Sequence, residues 1–381
     1  VTTPISYSLK VAGQAADAAL IDSIRSVEVE DHASLADVAR LKVATAVADR
    51  SAAWAHLDDQ LCTRLANVKI AVRLGGDTDI PLLDGYVIDV RAMLSPDPRS
   101  STIEVVVMDA TVLMDLEEKV RAWPDQSDSS IASSIFGDYS FDTNVTSTDP
   151  VRQATDVTTM QRATDIQFLR RLAARNGYEC YVEVGDQGQT VGHFHAPSLQ
   201  HDAQAVLSVN LGTETTLDEF KVRYDMLSAT QAVASNIDAK DGTAQPVQAP
   251  SASLREQGDG STVPSDRPRV RLVTGGGLSR AGELQTMSQA VVDRSAFAIT
   301  AEGVVNAAVL GQVLRAKQPV LVRGAGSQFS GQYYVERVLH RFDTNGYQQR
   351  VTLKRNAVGV LRQDNFQDDD SVPSQPAVVV G

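Results

Sequence analysis

The sequence predicts an α+β chain in which a barrel-like β domain at each end, residues 1–113 and 206–362, flanks a mixed α/β middle domain, residues 114–205. Three patterns carry this expectation. Val68, Ile70, Val72 and Leu74 alternate with Lys69, Ala71 and Arg73, the two-residue period of a half-buried strand. Thr164 and Gln167 have capping-box spacing ahead of an apolar helical face at Ile166, Leu169 and Ala173. Tyr347, Gln349, Val351 and Leu353 alternate with Gln348, Arg350, Thr352 and Lys354 behind Asn345-Gly346, a pair that suits a turn with positive φ, so a hairpin is expected there.

With 381 residues the chain is longer than one hydrophobic core usually organises. In the first domain, further β-type runs at Ile24 to Glu30, Val38 to Ala46, Leu83 to Met93 and Ile103 to Met108 predict a compact antiparallel sheet or barrel. Gly75-Gly76-Asp77 and Pro96-Asp97-Pro98 mark turns between runs. The middle domain opens with a short helix over Ser127 to Phe136, on the face of Ile131, Ile135 and Phe136. Asn176-Gly177 ends the second helix, and Tyr178 to Val184 resumes as a strand.

Residues 206–235 are expected to be extended. The stretch 241–269 has four prolines, three glycines and almost no large apolar side chain, which predicts a flexible insertion or linker, because burial there cannot offset the entropy of ordering. Gly282 to Phe297 reads as a helix through Leu284, Met287, Val291 and Val292, followed by strands to Asn356. A mobile tail is expected over 363–381, where Asp368-Asp369-Asp370 and several prolines occur.

Apolar residues make up 43% and charged residues 22%, the balance of a chain that folds. With 48 acidic against 35 basic residues the formal charge is -13, and no Lys/Arg-rich block interrupts it. Specific nucleic-acid binding and adhesion to an anionic membrane surface both need clustered cations, so neither is expected. No window reaches the length of apolar sequence that spans a bilayer, and Val1 to Lys10 lack a basic segment followed by an apolar one, so no export signal is expected. Cys62 and Cys180 are too sparse for a disulfide framework and are expected to be free thiols in a reducing cytosol.

Chemistry-bearing patterns are weak. His193 and His195 have the spacing that puts two imidazoles on one side of a strand, with His201 close behind, but no Cys or carboxylate cluster stands at a metal-site spacing. Two solvated histidines on an irregular strand are the expectation. Gly275, Gly276, Gly277 and Gly282 precede a helix without the remaining signature of a phosphate-binding loop, so a flexible helix entry is expected. Carboxylates are abundant without a diagnostic pairing, and no nucleophile elbow, H-E-x-x-H or Cys-His signature occurs. No catalytic, cofactor-binding or metal-ligating residue is therefore assigned. A wall-degrading hydrolase with an unrecognised site is the alternative reading.

Two segments resemble a known family. The run Gly324-Ala325-Gly326-Ser327-Gln328-Phe329-Ser330-Gly331-Gln332-Tyr333-Tyr334-Val335, continuing to Val338-Leu339-His340-Arg341-Phe342-Asp343, Gly346-Tyr347 and Leu353-Lys354-Arg355-Asn356, is similar to the closing segment of the phage late control protein D family of baseplate hubs. Asp165-Ile166-Gln167-Phe168-Leu169-Arg170-Arg171-Leu172-Ala173-Ala174-Arg175-Asn176-Gly177-Tyr178 resembles the middle-domain helix and strand of that family, also found in the hub portion of type VI secretion spike proteins. The resemblance implies a non-enzymatic structural subunit, a homotrimer whose two tube-like β domains per chain form a pseudo-sixfold ring. Such a ring adapts a hexameric tail tube, or tube-initiator ring, to a trimeric spike protein, with wedge proteins around the baseplate. It further implies assembly in the bacterial cytoplasm into a phage virion or phage-tail-like particle. A needle of repeated short β segments is lacking, so the spike is expected to be a separate polypeptide.

Overall fold

The computed structural model describes residues 5–47, 54–75, 78–97, 100–155, 158–185, 188–237, 243–274, 281–362, 364 and 366. The chain is mostly β, 46% strand against 20% helix, and its main sheet curves as a half-barrel.

The first region contains β1 (Ile5–Val11), β2 (Gln14–Ala15), helix α1 (Ala18–Ser23), β3 (Ile24–His32), β4 (Val38–Ala44), β5 (Asn67–Leu74), β6 (Ile80–Met93) and β7 (Thr102–Asp109). The middle contains β8 (Lys119–Trp123), α2 (Asp128–Asp138), β9 (Asp142–Val145), β10 (Thr159–Ala163), α3 (Asp165–Asn176), β11 (Glu179–Val184) and β12 (Thr190–His195). The last region contains β13 (Val206–Ser208), β14 (Leu217–Tyr224), β15 (Thr230–Ile237), β16 (Ala244–Ala249), β17 (Gly260–Ser261), β18 (Arg269–Val273), α4 (Ala281–Ala296), β19 (Ile299–Val305), β20 (Pro319–Arg323), β21 (Gly331–Asp343), β22 (Gly346–Arg355) and β23 (Ala357–Val358). Each strand expected in the first region, the three longer helices and the Asn345-Gly346 hairpin are present, with Gly346 at φ 98°.

The two strand-rich ends share one sheet. Among the described residues thirteen strands join it, in the order β14-β19-β22-β21-β3-β4-β7-β6-β5-β1-β2, with β13 and β20 attached beside β21. The seam is β21 against β3, antiparallel from Arg337 opposite His32 to Phe342 opposite Val27. Each side has its own core: Val29, Leu41, Val68, Ile70 and Val105 on one, Tyr333, Val335, Val338, Val351 and Leu353 on the other. Full burial of such side chains is worth about 1.5–3 kcal/mol each. The long strands bend at register shifts near Ile88 in β6 and Glu336 in β21. An extra residue there kinks the strand and increases its twist.

Two local expectations are corrected. Thr164 is the N-cap of α3, but its side chain does not cap the helix: Thr164 Oγ1 and Gln167 Nε2 both donate to Asp115 Oδ1, at 2.5 and 3.1 Å. A carboxylate from the 3-10 helix Ala110–Asp115, 49 residues earlier in the chain, takes the place of the reciprocal capping bonds. At the other end Gly177 stops the helix at φ 71° and lets it approach α4, since a Cβ there would meet Ala290 at 3.2 Å.

The stretch 241–269 is not a structureless linker over its described residues. β16 pairs antiparallel with β15, and β17 pairs with β23. Gln257 is fully buried, its N–H donating to Asn356 Oδ1 at 2.9 Å while its own amide oxygen accepts from Asn356 N at 3.2 Å. Reciprocal hydrogen bonds order this segment where apolar content does not. It belongs to a small layer, β16-β15-β18 under α4, whose core joins Ala232, Ala234, Val247, Val273, Leu284 and Val292. The expected tail beyond residue 366 and the glycines 275–277 lie outside the described residues.

Candidate functional site

Odd-numbered residues of β3 face inward, and the buried alternation Val27, Val29 ends on Asp31, 1% exposed. A carboxylate in a core position is costly unless cations and donors surround it. Lys317, before β20, places Nζ 2.5 Å from Asp31 and 3.2 Å from Asp37. Arg315 Nε lies 3.3 Å from Asp31, and the Ala316 N–H donates to Asp31 Oδ2 at 3.0 Å. The backbone N–H of Asp37 donates to Asp109 Oδ2 at 2.7 Å. From the middle region, Glu183 reaches Lys317 at 3.8 Å, and the Tyr181 ring lies 4.9 Å from the same ammonium. Lys317 is thus one point where all three regions meet, as is the small buried cluster of Ala33, Leu199 and Tyr334.

The electrostatics follow from crowding. Burial would raise Asp31, but Lys317 and Arg315 outweigh it and hold its carboxyl well below the usual range. Burial would lower Lys317, yet Asp31, Asp37 and Glu183 push its ammonium above an ordinary lysine. Asp37 is raised, first by burial and then by Asp31 and Asp109 beside it, against the opposing pull of Lys317. Asp109 is raised chiefly by burial. A second cluster adjoins: Tyr334 donates to Glu179 Oε2 at 2.5 Å, and Lys354 lies 3.5 Å from Glu179 and 3.6 Å from Glu336.

His193 and His195 are not solvated. Both are 8% exposed on the regular strand β12, with His193 Nδ1 3.2 Å from His195 Nε2 and His193 Nε2 3.1 Å from Glu183 Oε1. The Tyr181 ring stacks on His193 with centroids 4.5 Å apart, so the pair is part of the junction. His201 is exposed. Among the described residues no group of three or more His, Cys, Asp or Glu could hold a metal ion. Cys62 and Cys180 are free, and burial pushes the Cys180 thiol up to about 12. A cavity of about 300 Å³ lies beside the junction, between α3, α4 and the Glu336 bulge, but Lys354 on its wall is engaged by Glu179 and Glu336, and Arg294 donates to the Ala174 carbonyl at 2.7 Å.

The seam gives a pH prediction. His340 is fully buried in β21 and shares a 2.7 Å hydrogen bond with Tyr347. Burial, then Arg315, lowers it from 6.5 to about 3. Between these values the unfolded chain binds the proton and the folded chain does not, so this contribution is present above pH 6.5 and is lost as pH falls toward 3. Comparing Tm of the native chain with His340→Gln should show a difference that shrinks on acidification through this window, at up to about 1.4 kcal/mol per pH unit. A difference independent of pH would refute a neutral buried His340.

The missed residues left one signal. Asp31 stands where the Val27, Val29 alternation calls for an apolar side chain. Lys317 and Arg315 left none, since a basic pair before a strand usually faces solvent.

The fold is that of phage tail and type VI secretion proteins. The 43 kDa tail protein of prophage MuSo2 from Shewanella oneidensis superposes with TM-score 0.64 at 15% identity, over 93% of this chain and 100% of that one. The tail protein from Neisseria meningitidis MC58 gives 0.63 at 12% identity, over 92% and 97%. An Escherichia coli component of the type VI secretion system, described as structurally similar to the bacteriophage T4 tail proteins gp27 and gp5, gives 0.55 at 12% identity, over 91% and 76%. At these identities the likeness is one of fold. The chain belongs to the family described as the Alg8 N-terminal domain, whose model matches residues 2–344. No curated protein matches the sequence.

Proposed function

We propose that this chain is the structural hub of a contractile injection system or phage tail, a homotrimer that joins a hexameric tail tube to a trimeric spike. The observation that carries this reading is the single sheet with two cores, one on each side of the β21–β3 seam. One chain then presents two β bodies side by side, and three chains present six, which reconciles a sixfold partner with a threefold one. The tail-protein fold supports the same reading. Among the described residues β14 at one end of the sheet, and at the other end β2 and the part of β1 before Lys10, are paired on one side only, and neighbouring copies cover these edges.

In this reading residues 1–113 and the main-sheet strands of 206–362 are the two tube-like domains, and 114–205 is the middle domain. The buried junction holds them at a fixed angle. Its charged groups contact one another, a structural arrangement rather than a catalytic one. Partners are the tube or its initiator ring, the spike and the surrounding wedge proteins. Assembly takes place in the bacterial cytoplasm, and the product is a virion or phage-tail-like particle.

Quantitative mass measurement of assembled particles should find three copies per baseplate. Six copies, or absence of the chain from the particle, would overturn the adaptor.

A further inference from the structure

The small layer β16-β15-β18 carries a surface that the hub reading does not use. β18 pairs with β15 in parallel, and among the described residues no strand occupies its other side. Register fixes its faces: Arg271 stands opposite Ala232 and Val273 opposite Ala234. Ala232, Ala234 and Val273 are buried in the core under α4, so Arg269 and Arg271 lie on that side and Val270 and Leu272 on the other.

Both faces of β18 are open up to Val273. Val270 is 53% and Leu272 68% exposed, and the turn leading into β15 adds Met226 at 65% and Leu227 at 75%. Arg269 ties that turn to the strand by donating to the Leu227 carbonyl at 3.4 Å. Arg267 precedes the strand, and neither it nor Arg271 makes an ion pair among the described residues. The nearby carboxylate of Asp225 is engaged by Arg223 at 3.4 Å and by the Leu227 N–H at 3.2 Å. In a chain of net charge -13, three arginines at every second position beside an open strand edge are a local reversal of sign.

We infer that β18 is a docking edge for an extended segment of another protein that alternates carboxylate and apolar side chains. The incoming strand adds to the free edge through its backbone. Its carboxylates meet Arg269 and Arg271, and its apolar side chains cover Val270 and Leu272. Charge complementarity selects this occupant: a second copy would bring its own β18 arginines to the same edge, and like charges side by side are unfavourable. The inference does not depend on the hub assignment.

A blocked peptide of alternating Glu and Val, flanked by Gly and Ser, tests it by fluorescence anisotropy with the full chain. It should bind at least about tenfold more tightly than the same peptide with Lys for Glu, and affinity should fall as salt rises. Arg269→Glu/Arg271→Glu should weaken it about tenfold or more with Tm unchanged; Arg269→Gln/Arg271→Gln is the milder variant if the first disturbs folding. Leu272→Ser should weaken it less. Equal binding of the two peptides, no binding at about 1 mM peptide, or an affinity indifferent to the arginine variants would overturn the proposal. So would self-association of the chain that the double variant abolishes, since the edge would then seat a second copy.

Discussion

Lys317→Ala is expected to destabilise the chain by about 3–5 kcal/mol, the usual cost of leaving buried charge without its partner. The ammonium is the common neighbour of Asp31, Asp37 and Glu183, so its loss leaves carboxylates from two regions facing each other with Arg315 beside Asp31 and His193 beside Glu183 as the remaining partners. Denaturant unfolding monitored at Trp123, in the middle core, should then move closer to separating from unfolding of the main sheet, because one of the groups that couple them is gone while the Glu179 contacts of Tyr334 and Lys354 remain. Adding Asp31→Asn should recover part of the loss by removing the most deeply buried anion. Lys317→Ala at native stability would mean that the junction is passive. Replacing a charged network with apolar side chains of similar volume is often neutral, which is why the truncation to Ala and the rescue must be read together.

Gly324→Ala should cost about 2–5 kcal/mol and Gly326→Ala only about 1 kcal/mol, although two residues apart both have positive φ, 84° and 76°. A Cβ at Gly324 overlaps the Val209 carbonyl oxygen, whereas at Gly326 nothing lies within 4 Å. The first substitution therefore forces apart β13 and β20, paired from Val206 opposite Leu321 to Ser208 opposite Arg323. The second strains one backbone position alone. Tm would report the difference, and hydrogen exchange would locate it: the Val209 amide, which donates to the Arg323 carbonyl at 2.9 Å, should exchange faster in Gly324→Ala only. Similar Tm losses in both variants would show that conformation alone, and not close approach, requires the glycine at 324.

Much of the secondary structure was legible because it rests on local periods. The alternation of residues 68–74, the apolar face of α3 and the turn at Asn345-Gly346 each state in a few residues which side is buried and where the element stops. The resemblance of residues 324–356 and 165–178 to baseplate hubs rested on the same short-range order, and the tail-protein fold agrees with it.

The failures have one physical origin. The segment around Gln257 looked like a linker because its burial is maintained by hydrogen bonds to Asn356, about a hundred residues away, and polar content says nothing about whether a partner is waiting. His193 and His195 looked solvated because Tyr181 and Glu183, which enclose them, come from the adjacent strand. A strand's period shows that one face is covered but not by what, so the joining of β21 to β3 into one sheet could not be read from either strand. Asp31 stood out of pattern in its own strand, but the cation that makes it tolerable lies 286 residues further along. Local sequence decides the element and its buried face; which residues share a desolvated space is settled only when distant segments pack, because the energy of a buried charge belongs to the pair and not to either residue.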